Sequence, residues 1–340
     1  MPDIHIRKIG KAGRITLNRP KALNALSYDM AMEIEAALDA WAEDPGVELV
    51  IIDAEGDKAF CAGGDIQEMY DTAKVGDYEY GRKFWRDEYR MNAKLFNFPK
   101  PYVAFMQGFT MGGGVGISCH GSHRIVCENS QIAMPECGIG LVPDVGGSLL
   151  LARAPGHLGE YLGCTAARMD AGNAIYAGFA DYYIERATWP ALIAALESGD
   201  LDAIDKAALP APEASLKFDQ TEIDHSFNAR SVNDIIRGFT GTGWELATEK
   251  ALRRNCPLSV ECTLELVRRV RGLDSIEQAL GMEYRFTSRS ASDGDFIEGI
   301  RAAIIDKDRN PQWTPATLED VTSLKISKML MPLGADALKL

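Results

Sequence analysis

The chain has 340 residues, 46% of them apolar, and a formal charge of -13 at pH 7. That length and composition suit one large soluble domain, or a domain with an appendage, able to bury a sizeable core. The negative charge excludes broad electrostatic binding to nucleic acid or to an anionic membrane, which need a basic face, and leaves any phosphorylated ligand to local amides and a few cations. In chain order, IRKIGKAGRITLNRP predicts two short strands around a turn at Gly10 to Gly13, ended by the NRP tripeptide. A helix follows, with Ser27 as its cap, Asp29 in its first turn, and Met30, Ile34, Ala37, Leu38 and Trp41 on one face before the Asp-Pro-Gly stop at 44–46. VELVIIDA (47–54) reads as a buried strand, EGDKAFCAGGDI as a loop with a glycine pair, and 66–97 as polar and mostly helical.

PYVAFMQG (101–108) is a second buried strand that runs into TMGGGVGISCHG, and HRIVCE (123–128) is a third. After QIAMPECGIGLVPDVGG come two helical stretches and the strand DYYIER. From about residue 190 a turn-rich segment predicts a linker or mobile helical hairpin, and helices dominate thereafter. The expected architecture is an α/β core of strand-strand-helix or strand-helix units over 1–190, with a helical region over 191–340.

Seven cysteines without a CxxC pair predict reduced thiols, a cytoplasmic protein, and neither a disulfide framework nor a metal site. The start MPDIHIRKIGKAGRITL has neither the apolar core of a signal peptide nor the Arg and Ser richness of a transit peptide, and reads as a mature start. No apolar run reaches the roughly 18 residues that a membrane helix needs.

Four glycines within residues 112–116 raise the question of chemistry. No GxxxxGK pattern is present there, and GGGVGISCHG supplies only the first half of a dinucleotide fingerprint, with Cys119 at the third glycine. GISCH stops one residue short of a GxSxG elbow because His120 takes the last glycine's place, so a small residue packed in a helix is the plainer reading of Ser118. His120 and His123, without a nearby carboxylate, read as structural or surface residues. A strand, glycines and then a helix leave free amides at a helix start, where they stabilise a developing negative oxygen. FCAGGD (60–65) is the candidate second donor loop, and Glu136 and Asp144 are candidate acids on nearby loops, each of which also reads as a solvated loop residue.

NRPKALNAL, AFCAGGDI, MGGGVGIS, AMPECGIGLVPDVGG and MEYRFTSRSASDGDFIEGIRAAIIDKDRNPQW together resemble the crotonase, or enoyl-CoA hydratase/isomerase, superfamily, and within it the 3-hydroxyisobutyryl-CoA hydrolase branch. The resemblance implies an α/β, crotonase-like spiral of strand-strand-helix repeats with a helical C-terminal region. It also implies an acyl-CoA substrate, with CoA as part of the substrate and no separate cofactor. The amides implied to hold the thioester oxygen are those of Ala62 and Gly113. Lys21, Ala22 and the loop of Ala62, Gly63, Gly64, Asp65 and Ile66 are implied to bind the adenine and pantetheine. Glu136 and Asp144 match the two acids of the hydrolase branch, and Glu88 in FWRDEYRMN matches a third, which periodicity alone would leave as an ordinary helix residue. Gly116 stands where a hydratase keeps a catalytic glutamate, which turns the expectation from hydration toward cleavage of a short 3-hydroxyacyl thioester. A hydratase or isomerase using Glu136 with Asp144, and a non-catalytic CoA-ester-binding protein, stay open, as does a homo-oligomer through the C-terminal helices.

Overall fold

A computed structural model of the chain describes residues 2–340. Its contacts gather into two units that alternate along the sequence. Unit one comprises 1–65, 90–133 and 168–217, and unit two comprises 66–89, 134–167 and 218–340.

Unit one contains all the named strands: β1 Ile4–Ile9, β2 Ala12–Leu17, β3 Leu49–Ala54, β4 Ala59–Cys61, β5 Tyr102–Met106, β6 Phe109–Met111, β7 His123–Val126, β8 Gln131–Ala133 and β9 Tyr182–Tyr183. They form a six-stranded sheet in the order β1-β2-β3-β5-β7-β9 and a three-stranded sheet in the order β4-β6-β8. β1 and β2 are an antiparallel hairpin, and the other pairings are parallel. The spiral follows from this order. Each of the pairs β3/β4, β5/β6 and β7/β8 sends its first strand to the large sheet and its second, a few residues later, to the small one.

The central strands VIID, VAFM and RIV carry apolar residues on both faces, as strands of a doubly covered parallel sheet must. Leu49, Ile51, Val103, Phe105, Ile125 and Cys127 form a core on one face with Trp189, Leu192, Leu196 and Ile204. These last four lie in the helices Trp189–Glu197 and Ala203–Ala207, so the segment expected as a linker or mobile hairpin is buried cover for the sheet. The helix Tyr28–Ala42 agrees with its pattern: Ser27 accepts from the Met30 amide, and Met30, Ile34, Ala37, Leu38 and Trp41 are buried. β4 falls in a stretch read as a loop, and β6 and β8 in stretches not read as strands. At three residues each they are too short to show a period of two, and they are strands only because they pair with one another.

Unit two is helical. Pro257–Val270 runs through its centre, buried at Leu258, Val260, Cys262, Leu264, Leu266, Val267 and Val270, and packs on Gly147–Arg153, Leu158–Thr165, Ile276–Ser290 and Ser323–Leu330. The expected division at 190 is therefore not where contacts divide. Residues 134–167, expected in the core, cluster with the C-terminal helices, while the chain up to Lys217 stays with the sheets.

Candidate active site

In unit one, two loops at the ends of β4 and β6 lie side by side because those strands are parallel neighbours. The β6 loop enters the single helical turn Gly113–Gly116 through Gly112, at φ 50° and ψ -117°, a region that side chains forbid. A Cβ on Gly114 would stand 2.3 Å from the Cys61 carbonyl oxygen, so this glycine is what lets the turn approach β4. The Gly113 amide, at the start of that turn, has no intrahelical acceptor.

The β4 loop is bound along residues 19–26. The Ala62 amide donates to the Leu23 carbonyl at 3.0 Å, Leu26 donates to the Gly63 carbonyl at 2.9 Å, and Asp65 donates to the Leu26 carbonyl at 2.8 Å. The Ala62 amide thus already has a protein acceptor, which corrects its expected role as the free donor. Successive amides along an extended stretch point to opposite sides, so the Gly64 N–H is turned away from Leu26, and it has no acceptor among the described residues. Asp65 is engaged as well, by Arg19 at 2.9 Å. Lys21 and Ala22 lie in the exposed 3-10 turn Pro20–Ala22, beside this loop, and Ile66 precedes the helix Gln67–Lys74.

Unit two brings together the acids. Glu136 opens the 3-10 turn Glu136–Ile139, which is anchored where the Cys137 carbonyl accepts from the Cys256 amide at 2.8 Å. Asp144 precedes the helix Gly147–Arg153, Glu88 comes from the helix Glu79–Phe96, and a fourth acid, Glu283, comes from Ile276–Ser290. All four are buried. Asp144 Oδ2 accepts from the Tyr89 hydroxyl at 2.7 Å, and that hydroxyl also lies 3.3 Å from Thr287 Oγ1. Glu283 accepts from the Gly146 amide at 2.9 Å, the Ser148 amide at 3.0 Å and the Ser148 hydroxyl. Glu136 Oε2 is buried with no hydrogen-bond partner among the described residues.

Burial, and next the charge of Asp144, holds both Glu136 and Glu88 well above the usual carboxylate range. Burial pushes Asp144 up to about 7 against the opposing bond from Tyr89. Glu283 is pushed up to about 8 by burial, with the Asp144 charge adding to it and the Ser148 hydroxyl opposing it. Acids that feel one another's charge in a dry site do not all ionise near neutrality. A cluster that titrates in steps holds a carboxylate beside a carboxylic acid over part of its titration, the pairing that acid–base and nucleophilic chemistry needs.

Sequence reasoning missed Tyr89, Thr287 and Glu283. Tyr89 adjoins the expected Glu88, whereas Glu283 had no local signal beyond its place in the MEYRFTSR segment. Ser118 is no nucleophile: its buried hydroxyl donates to the Gly114 carbonyl at 2.6 Å. The His120 ring sits edge-on to Phe96, and His123 stacks on Tyr182.

The enoyl-CoA hydratase/isomerase family profile matches residues 12–330. The chain belongs to that family. Among its members, 3-hydroxyisobutyryl-CoA hydrolase, mitochondrial, from Gallus gallus is 39% identical over 99% of this chain and 91% of its own. The protein of the same name from Xenopus tropicalis is 40% identical over 98% of this chain and 90% of its own. A crystal structure of an enoyl-CoA hydratase from Rhodobacter sphaeroides 2.4.1 covers all of both chains at 55% identity with a TM-score of 0.95. The family's strand-strand-helix spiral is thus the fold of this chain, and an acyl-CoA ester is the substrate class consistent with the family. No helix among the described residues is long and apolar enough to cross a membrane. The two vertebrate relatives are named as mitochondrial, so they lend the expected cytoplasmic location no support.

Proposed function

We propose that this protein is a thioester hydrolase that cleaves a short 3-hydroxyacyl-CoA, with 3-hydroxyisobutyryl-CoA of valine breakdown as the leading substrate, to the free hydroxy acid and CoA. The observation that carries the reading is the buried set of Glu136 and Asp144, with pKa values driven upward, in a chain whose curated relatives bear that hydrolase name. Hydrolysis of a thioester passes through an oxyanion, and losing one amide donor to it costs about 3 kcal/mol of barrier. In this reading Gly113 supplies one donor amide, and Gly64, rather than the already engaged Ala62, supplies the other. Lys21, Ala22 and the Gly63–Ile66 loop bind the CoA portion.

Glu136, with an oxygen that has no partner among the described residues, attacks the carbonyl to give a mixed anhydride or takes a proton from the attacking water. In the first route the C–S bond breaks as the anhydride forms, the departing thiolate takes a proton from the protonated acid of the cluster, and water then cleaves the anhydride. Asp144, fixed by Tyr89, binds the substrate's β-hydroxyl or assists that water, and Glu88 lines the acyl pocket. A polar group matched to the hydroxyl rejects an analogue lacking it far better than an apolar pocket rejects an added methyl. The seven unbridged, buried cysteines support a reducing compartment, with the cytosol as the proposed one.

A second reading has one observation in its favour, the hydratase name of the 55% identical structure. A single assay separates the two. The purified protein is offered 3-hydroxyisobutyryl-CoA, isobutyryl-CoA and methacrylyl-CoA, and both free thiol and loss of the enoyl absorbance are followed. Thiol release, fastest from the hydroxy ester, is expected; enoyl consumption without thiol would make it a hydratase, and binding without either change would make it a non-catalytic CoA-ester binder.

A further inference from the structure

Val145 is the one β-branched residue among those described that the structure holds at positive φ, at 53°, and Gly146 follows at 79°. A β-branched side chain in that region is strained and persists only where the surroundings over-determine it. Part of those surroundings comes from one helix. Glu283 takes the Gly146 amide on one carboxylate oxygen and the Ser148 amide and hydroxyl on the other, while the Gly147 amide folds back onto the Asp144 carbonyl at 2.6 Å. Thr287 stands one helical turn beyond Glu283 and contacts the Tyr89 hydroxyl, which donates to the Asp144 carboxylate.

We propose that Glu283 is a positioning residue for the reaction: its carboxyl group locks the strained Val145–Ser148 turn and thereby fixes the aim of Asp144. This rests on the hydrolase reading above for its effect on turnover. Both oxygens of the Glu283 carboxyl are taken up by the turn, through the Gly146 and Ser148 amides and the Ser148 hydroxyl, so it is placed to hold geometry rather than to meet substrate. If Val145 relaxed to negative φ, Asp144 would swing relative to the two bound amides, and a misplacement of about 1 Å at such a group costs up to about 100-fold in rate.

Glu283→Gln keeps the size but turns an N–H pair toward one of the amides, so that one bond is lost. The expected result is a fall in kcat of about 10- to 100-fold with KM for 3-hydroxyisobutyryl-CoA changed by less than about 3-fold. Backbone amide exchange over residues 141–150 is expected to quicken in the variant while the rest of unit two is unchanged. Adding Val145→Gly should recover part of the lost kcat, because glycine holds positive φ without strain. Ser148→Ala, which removes one donor and leaves both amide bonds, should show the same direction at about 3-fold, and it decides the matter if Glu283→Gln does not fold. An unchanged kcat in either folded variant would overturn the proposal, and so would a loss that Val145→Gly does not ease and that tracks a lowered Tm. A wild-type protein that releases no thiol refutes the hydrolase reading instead. The exchange measurement then decides by itself, with equal rates at 141–150 in the variant and the wild type counting against Glu283.

Discussion

Glu136 has a buried oxygen without a partner among the described residues, and that arrangement has a thermodynamic signature as well as a chemical one. Its folded-state pKa lies above its unfolded value, so between the two the folded protein keeps a proton that the unfolded chain has lost, and stability falls as pH rises through that window. Glu136→Gln has no such titration. The variant is expected to melt higher than the wild type by roughly 2–4 °C at pH 8, with the gain shrinking toward pH 5, while kcat for thiol release drops by about 1,000-fold or more and CoA-ester binding stays. Thermal melts at the two pH values check the first part, and equal differences at both would mean that ionising Glu136 burdens the fold no more than an exposed acid would. At this scale the motifs pointed to Glu136, Asp144 and Glu88, and the structure gathers all three in unit two. They could not separate Ala62 from Gly64, since which amide is free depends on which carbonyls of residues 23 and 26 the loop meets, and those are about 40 positions away.

The glycines of one element make opposite predictions from those of another. Gly114 lies against the backbone of β4, so Gly114→Ala must displace a strand end or its own turn, at about 1–3 kcal/mol of stability and about 10- to 100-fold in thioester turnover. Gly281, in the helix Ile276–Ser290, has nothing within 4 Å of where a Cβ would be, and Gly281→Ala should stabilise by up to about 1 kcal/mol through helix propensity. Paired denaturant titrations test both, and the same sign for the two would mean that close approach is not what Gly114 provides. The sequence shows the first of these features as a costly glycine run, but it does not show which glycine meets Cys61. Elements were legible in proportion to their length. Tyr28–Ala42 and the long strands β3 and β5 repeat a period often enough to be read, whereas β4, β6 and β8 at three residues do not.

Across the whole molecule, all seven cysteines are unbridged and buried, and burial raises the thiol pKa of Cys137, Cys164 and Cys262. Stability should therefore be indifferent to reductant: melting with and without a phosphine reductant is expected to coincide within about 1 °C, and a clear fall with reductant would reveal a structural disulfide. The division of the chain was the least legible feature. The chain passes through each unit three times, and no change of composition marks the crossings. One consequence concerns the smallest working version of this enzyme. A chain ending at Val270 would retain every strand and the amides of Gly64 and Gly113, yet it would lack Glu283 and Thr287. Such a truncation would spare all the motif acids and Tyr89, yet it would remove the carboxyl that takes the Gly146 and Ser148 amides and the hydroxyl that faces Tyr89, so Asp144 would keep its direct bond and lose the support behind it.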